Sequence, residues 1–258
     1  MVLRVLVTRP QPQADDWVAR LRAAGVDAHS LPLLRIDAPA DTAAVASAWQ
    51  SLGDDVLAVF VSPNAAARFF EYRPEGMAWP SGLWAGAIGP GTSAALRQCG
   101  VPSGCVVEPD PDAGVFDSEA LWRCLAPRRE WRGVRVLVVR GENGRDWLAS
   151  TLQQQGAEVR FVEAYRRTAP QPSGAEQALL NQAIAHPARH AWLFSSSQAV
   201  DHLQQLAPGA AWQQAWAIAS HPRIAARAQA AGFGHVLQAG PALPDLLAAL
   251  ASIQSPAL

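Results

Sequence analysis

The 258-residue sequence predicts an α/β protein: two similar α/β domains, each a parallel sheet flanked by helices, facing one another across a cleft. Three observations predict this. Strand-length apolar runs alternate throughout with helix-length amphipathic segments. Several of the runs are apolar on both faces, as parallel strands covered from two sides require, and the order of segments repeats once.

In chain order the expected strands are Arg4–Thr8, Val56–Val61, Trp84–Ile88, Val134–Val139, Trp192–Phe194 and Trp216–Ala219. A Ser, Thr, Asn or Pro start signal follows each, and then an Ala/Leu-rich helix. Gly25, Gly100, Gly156 and Gly232 are expected to end helices, because a residue without Cβ enters the left-handed region at no steric cost. Leu31–Asp37, held by Pro32 and Pro39, reads as extended, and so does Val159–Arg167 ahead of Pro170 and Pro172. Each follows the first β-α unit of a repeat, so both are candidates for strands that cross between domains.

The repeat sets Arg4-Val-Leu-Val-Thr-Arg9 against Arg135-Val-Leu-Val-Val-Arg140, each followed by Asp-Trp (Asp16-Trp17, Asp146-Trp147) and then Gly25 or Gly156. Phe60-Val-Ser-Pro-Asn-Ala65 matches Phe194-Ser-Ser-Ser-Gln-Ala199, and Ala87-Ile-Gly-Pro-Gly-Thr92 is set against Ala217-Ile-Ala-Ser-His-Pro222. The second copy begins near residue 134. Two copies of one α/β unit are the simplest account of this period, which is too long for a solenoid.

Composition removes several function classes. A net charge of −1 with 17% charged residues gives no reason to expect nucleic acid or an anionic membrane as partner. No apolar run is long enough for a bilayer span, and the first ten residues read as a strand instead of a secretory h-region. Three cysteines without C-x-x-C spacing fit a reducing cytoplasm. All 21 basic residues are arginine, which excludes a lysine Schiff base, lysine-bound pyridoxal phosphate and a P-loop lysine.

No single constellation announces a reaction. His186 and His190 have helical i, i+4 spacing, but Pro187 between them opposes a continuous helix, and no metal site is expected. Asp15-Asp16 and Asp54-Asp55 are better explained by a helix start and by solvation than by acid–base work. Gly89-Pro-Gly-Thr-Ser-Ala94 fits G-x-G-x-x-A, with Glu108 where a dinucleotide fold places its ribose-binding acid. Against that reading, Pro90 deletes an N–H from the loop, and the motif lies mid-repeat.

The strand-to-helix turns are the stronger signal: Thr8-Arg9-Pro10, Ser62-Pro63-Asn64, Gly89-Pro90-Gly91-Thr92, Arg140-Gly141-Glu142, Ser195-Ser196-Ser197 and Ser220-His221-Pro222-Arg223. In an open parallel sheet such turns line the ligand crevice, and helix N-termini favour anions. Each hydroxyl taken alone is equally an N-cap, contributing about 1 kcal/mol. Six turns in two matching sets point to a two-sided anion-binding cleft, with Arg9, Arg140 and Arg223 adding charge-assisted contacts.

At these turns the chain resembles the uroporphyrinogen-III synthase family over nearly its whole length. The resemblance is carried by Val5-Leu-Val-Thr-Arg-Pro10, Phe60–Ala65, Ala87–Thr92, Val138-Val-Arg-Gly-Glu-Asn-Gly-Arg145, Val162-Glu-Ala-Tyr-Arg-Arg167, Phe194-Ser-Ser-Ser-Gln-Ala-Val200 and Ser220-His-Pro-Arg-Ile-Ala225. It implies a discontinuous first domain, 1–34 with 168–258, a second domain over 39–163, and a two-stranded linker at 35–38 and 164–167. A contiguous cut near residue 134 is what periodicity alone would suggest.

The implied reaction closes hydroxymethylbilane to uroporphyrinogen III with loss of water, using neither metal nor organic cofactor. The terminal hydroxyl departs to leave an azafulvene, ring D reacts at its already substituted carbon, and a spiro intermediate reopens and recloses with that ring inverted. Tyr165 matches the family's cleft tyrosine, implied to donate a hydrogen bond or proton to the departing hydroxyl. Thr92, Ser62, Ser196 and Ser197 match hydroxyl positions implied to contact acetate and propionate arms. Thr8, Pro63, Gly89, Gly91 and Gly141 belong to the same substrate-binding turns. Ser220 and Arg223 stand where many members carry Gly-Pro-x-Thr, so the match is weaker there.

The expected partner is the linear tetrapyrrole, with a transient hand-over from hydroxymethylbilane synthase; a cytoplasmic monomer is expected, with neither nucleic acid nor membrane. Two readings compete: a two-domain binding protein for a small anion or nucleotide, and a nucleotide-dependent enzyme built on the Gly89 turn.

Overall fold

The computed structural model describes residues 3–110, 115–142 and 147–254. Asn143-Gly-Arg145 of the quoted motif, and Asp146 of the second Asp-Trp pair, lie outside the described residues. The chain runs β1 (Arg4–Val7), α1 (Gln13–Ala23), β2 (Ala28–Ser30), β3 (Arg35–Asp37), α2 (Thr42–Gln50), β4 (Leu57–Phe60), α3 (Pro63–Glu71), β5 (Trp84–Ala87), α4 (Pro90–Gln98), β6 (Val106–Val107) and α5 (Ser118–Leu125). It continues with β7 (Arg135–Gly141), α6 (Trp147–Gln154), β8 (Glu158–Thr168), α7 (Gly174–Ala185), β9 (His190–Phe194), α8 (Ser197–Leu206), β10 (Trp216–Ala219), α9 (Pro222–Ala230), β11 (His235–Gln238) and α10 (Leu243–Gln254).

Contacts divide the chain into two compact units, Met1–Arg35 with Thr168–Leu258, and Ile36–Arg167. The first holds the sheet β11-β10-β9-β1-β2, and the second holds β3-β8-β7-β4-β5-β6. Neither unit is one copy of the sequence repeat. In the first, β1 and β2 of the first copy join β9, β10 and β11 of the second, through the parallel pair β1–β9. In the second, β7 and β8 join β4, β5 and β6 through the parallel pair β4–β7. The copies have exchanged halves. The chain passes between units at β3 and at the end of β8, which are neighbours in one sheet.

Alternation along each strand supplies a core on both faces. In the first unit Val5 and Val7 face α1 and α10, through Leu21, Leu246 and Leu250, while Leu6 faces the other way among Leu180, Trp192, Phe194 and Leu203. Trp192, Trp212 and Phe233 interlock there, Trp212 stacking on Phe233 with ring centroids 5.4 Å apart. In the second unit Ala58 and Phe60 pack with Trp49 and Phe69 on one face, and Leu57 and Val59 with Leu121 and Leu152 on the other. Burial of large aromatics therefore accounts for part of the tryptophan content.

Gly25, Gly100, Gly156 and Gly232 all adopt positive φ, between 81° and 94°, just past helix ends. One alignment needs correction. Trp84–Ala87 and Trp216–Ala219 are the equivalent strands, and Pro90 and Pro222 both stand in the first turn of the next helix, so Ala87 pairs with Ala219 and not with Ala217. The Ala-Ile pairs at 87–88 and 217–218 look alike but stand two residues out of register.

The His186–His190 pair is not helical. His186 caps α7 with a non-helical φ/ψ of −132° and 61°, and His190 opens β9. The His190 Nδ1–H donates to the His186 carbonyl at 2.9 Å, and its Nε2 is buried without a partner. Burial, above all, pushes the His190 imidazole below its ordinary value of 6.5, with nearby Arg4, His186 and His29 adding to the effect. The folded state thus binds fewer protons than the unfolded chain below that value. Stability is complete above pH 6.5 and falls as the pH drops through that value toward the depressed one. Urea unfolding at stepped pH is expected to show this slope, and His190→Asn, which keeps a donor near Nδ1 but cannot titrate, is expected to flatten it. Gly234 gives a second expectation, since a Cβ there would lie 1.9 Å from the Gln213 carbonyl oxygen. Gly234→Ala should lower the unfolding free energy by roughly 2–4 kcal/mol, read from the urea midpoint at constant m.

Candidate functional site

Each sheet reverses its direction of growth at one seam. From β4 the chain moves to β5 and β6, whereas from β7 it moves to β8 on the opposite side. In the other unit β9 leads to β10 and β11, and β1 leads to β2. The helices therefore leave the two central strands in opposite senses, the topology that in open α/β sheets leaves room for a ligand at the carboxyl ends of the strands. Most of the site residues expected from sequence fall at these two seams or at the neighbouring turns.

In the second unit Ser62 ends β4 and caps α3, its Oγ accepting the Ala65 N–H at 3.1 Å, with Pro63 at the first helical position. One strand over, Gly89 caps α4 and Thr92 is buried, its N–H donating to the Gly89 carbonyl at 3.0 Å. A Cβ on Gly91 would touch Pro63 Cγ at 3.4 Å, so the starts of α3 and α4 lie together. The dinucleotide reading loses its acid, because Glu108 forms an ion pair with Arg97 of α4.

Tyr165 is fully buried in this unit. A bulge in the β7–β8 ladder between Arg140 and Gly141 sets Gly141 opposite Tyr165. The ring lies against Gly141 so closely that a Cβ there would be 2.6 Å from Cζ. Its hydroxyl is 3.1 Å from Ser62 Oγ and accepts from Arg167 Nη2 at 2.9 Å. The Arg167 guanidinium also sits 5.5 Å from the ring centroid. Arg140 stacks on Phe161 at 4.4 Å, with Glu163 Oε1 3.9 Å from its Nη2.

In the first unit Thr8 is buried, its hydroxyl donating to the Leu193 carbonyl at 2.7 Å across the seam. Arg9 is the repeat counterpart of Arg140, yet its surroundings differ. Its guanidinium lies 4.8 Å from the Trp17 ring, Arg20 lies 5.0 Å from the same ring, and Arg9 Nε is buried without a partner. Burial first, and then Arg20, push the Arg9 guanidinium below the ordinary arginine value, though it stays charged. A cation pair of this kind favours an anion. Ser196 caps α8, accepting the Gln198 N–H at 3.2 Å, and Ser197 is the first helical residue. Ser220 donates its N–H to the Phe194 carbonyl, and His221 is the cap of α9, its Nδ1 accepting the Arg223 N–H at 3.1 Å. The Arg223 side chain itself is exposed.

The structure adds Arg167, Trp17 and Arg20 to the expected residues. Arg167 was legible as the i+2 neighbour of Tyr165 on one strand face, and Trp17 and Arg20 as an i, i+3 helix pair. Among the described residues, no group of three or more His, Cys, Asp or Glu is placed to hold a metal ion.

Comparison with known proteins places the chain in one family. The family model described as uroporphyrinogen-III synthase HemD matches residues 15–248. The uroporphyrinogen-III synthase of Salmonella typhimurium is 35% identical over 69% of this chain and 70% of its own length, and that of Escherichia coli is 33% identical over 70% and 72%. In fold, the chain is similar to a mutant uroporphyrinogen III synthase from Thermus thermophilus (TM-score 0.59, 16% identity, 98% of both chains) and to the Helicobacter pylori uroporphyrinogen-III synthetase (TM-score 0.58, 13% identity, 97% of this chain and 99% of that one). With the family model matched over residues 15–248 and relatives 33–35% identical over more than two thirds of both chains, the chain belongs to the uroporphyrinogen-III synthase family.

Proposed function

We propose that this chain is a uroporphyrinogen-III synthase that cyclises hydroxymethylbilane to uroporphyrinogen III, inverting ring D and releasing water. One observation supports the reading from geometry: each unit brings a capped helix N-terminus and an arginine to its topological switch point. The substrate carries eight carboxylates on acetate and propionate arms. Helix N-termini and guanidinium groups bind such arms without reference to the ring chemistry.

In this reading Arg9, Ser196, Ser197, Ser220 and Arg223 in one unit, and Gly89, Gly91 and Thr92 in the other, hold arms. Holding several arms at once bends the bilane so that the substituted carbon of ring D meets the azafulvene, a gain in orientation. The hydrogen-bonded group around Tyr165 supplies the proton for the departing hydroxyl. The cytoplasm is the proposed compartment, in keeping with the free thiols of Cys99, Cys105 and Cys124. A monomer that receives its unstable substrate by transient hand-over completes the proposal.

The test uses purified protein with freshly generated hydroxymethylbilane, followed by oxidation and separation of porphyrin isomers. Spontaneous closure yields the type I isomer, so predominantly type III product is the expected result, and type I alone overturns the reading. Tyr165→Phe removes one hydroxyl and keeps the ring on Gly141. It is expected to lower turnover roughly tenfold, the worth of about one hydrogen bond in the transition state, with an unchanged circular dichroism spectrum. Undiminished turnover would take Tyr165 out of the proton supply.

A further inference from the structure

We infer that Ser62 is the group that meets the departing hydroxyl, and that Tyr165 and Arg167 stand behind it as a hydrogen-bonded relay. The inference rests on the synthase reading and reassigns the contact within it. Donor and acceptor capacities decide the direction of each bond. A guanidinium has no acceptor, so Arg167 Nη2 donates to Tyr165 Oη, at 2.9 Å. Tyr165 has no exposed surface, so its own O–H needs an acceptor inside the protein, and Ser62 Oγ at 3.1 Å is placed to be one. Ser62 Oγ also accepts the Ala65 N–H at 3.1 Å. Both of its lone pairs are then used, and the Ser62 proton is the one left to donate outward.

Position agrees with bonding. Ser62 is half-buried just past the carboxyl end of β4, at the start of α3, whereas Tyr165 lies fully buried in the core. Nor can the ring swing out without leaving Gly141, whose missing side chain gives it room. As the C–O bond breaks, its electron pair leaves on oxygen, the Ser62 proton moves to that oxygen, and water departs. The Tyr165 proton moves to Ser62, and the phenolate faces the Arg167 guanidinium. When ring D rearomatises, the proton it loses returns to the relay, and the balance closes.

The test has two arms on the intact protein. In the first, type III formation is compared for wild type, Ser62→Gly, Tyr165→Phe and the double variant; glycine keeps most of the N-cap preference and removes the hydroxyl. Each single variant should lose roughly tenfold in kcat with little change in KM. Tyr165→Phe should then cost less than about twofold in the Ser62→Gly background. Ser62→Thr should restore most of the rate. Losses that multiply in the double variant would mean that Tyr165 touches substrate directly, and the inference falls. The second arm needs no turnover. The chain has two tyrosines, Tyr72 and Tyr165, so 13Cζ labelling gives two resonances, and that of Tyr165 should move in both Ser62→Gly and Arg167→Gln. Type I product alone from wild type would overturn the synthase reading, while a Tyr165 resonance that ignores both substitutions would overturn the relay whatever the product.

Discussion

Parallel hydrogen bonding between β1 and β9, and between β7 and β4, makes each sheet from strands of both sequence copies. These central strands are apolar on both faces, so neither can remain at an edge, and each must find a parallel neighbour with helices above and below. Local partners do not suffice. β2 covers one side of β1, and the other side is filled only by a strand from far along the chain. The exchange of halves follows, and with it the two chain passages at β3 and β8.

The same seams carry the polar turns. Where helices diverge from neighbouring strands, backbone N–H groups and short polar side chains face a crevice and not another layer of core. The opposite end of the second sheet is built differently. There Asp55, whose side chain has no exposed surface, forms an ion pair with Arg160 and lies 3.9 Å from Arg135, tying the starts of β4 and β7 to β8. Removing one partner of such a pair is costly because the other stays buried and charged. One end of the sheet is therefore locked by charge, while at the other Ser62 and its neighbours cap the starts of α3 and α4.

The two seams are alike in backbone and unlike in charge. Arg140 stacks on Phe161 with Glu163 near it, whereas Arg9 shares Trp17 with Arg20. His221 caps α9 where Gly89 caps α4, so the second copy trades backbone freedom for an imidazole acceptor.

Local rules written in the sequence determined six central strands, the helix starts at Ser62, Ser196 and Pro90, the stops at Gly25, Gly100, Gly156 and Gly232, and the α/β class, since periodicity and capping act over a few residues, while the short strands β2, β6 and β11 were not legible that way. The family motifs also marked Tyr165 and the polar turns. Tertiary structure alone decided what each side chain does there. Thr8 is spent on the Leu193 carbonyl, Tyr165 is sealed against Gly141 with its hydroxyl between Ser62 and Arg167, and Arg9 gains Arg20 as a neighbour. Burial and hydrogen-bond direction depend on strands that meet across the whole chain, and no local window of sequence contains that information.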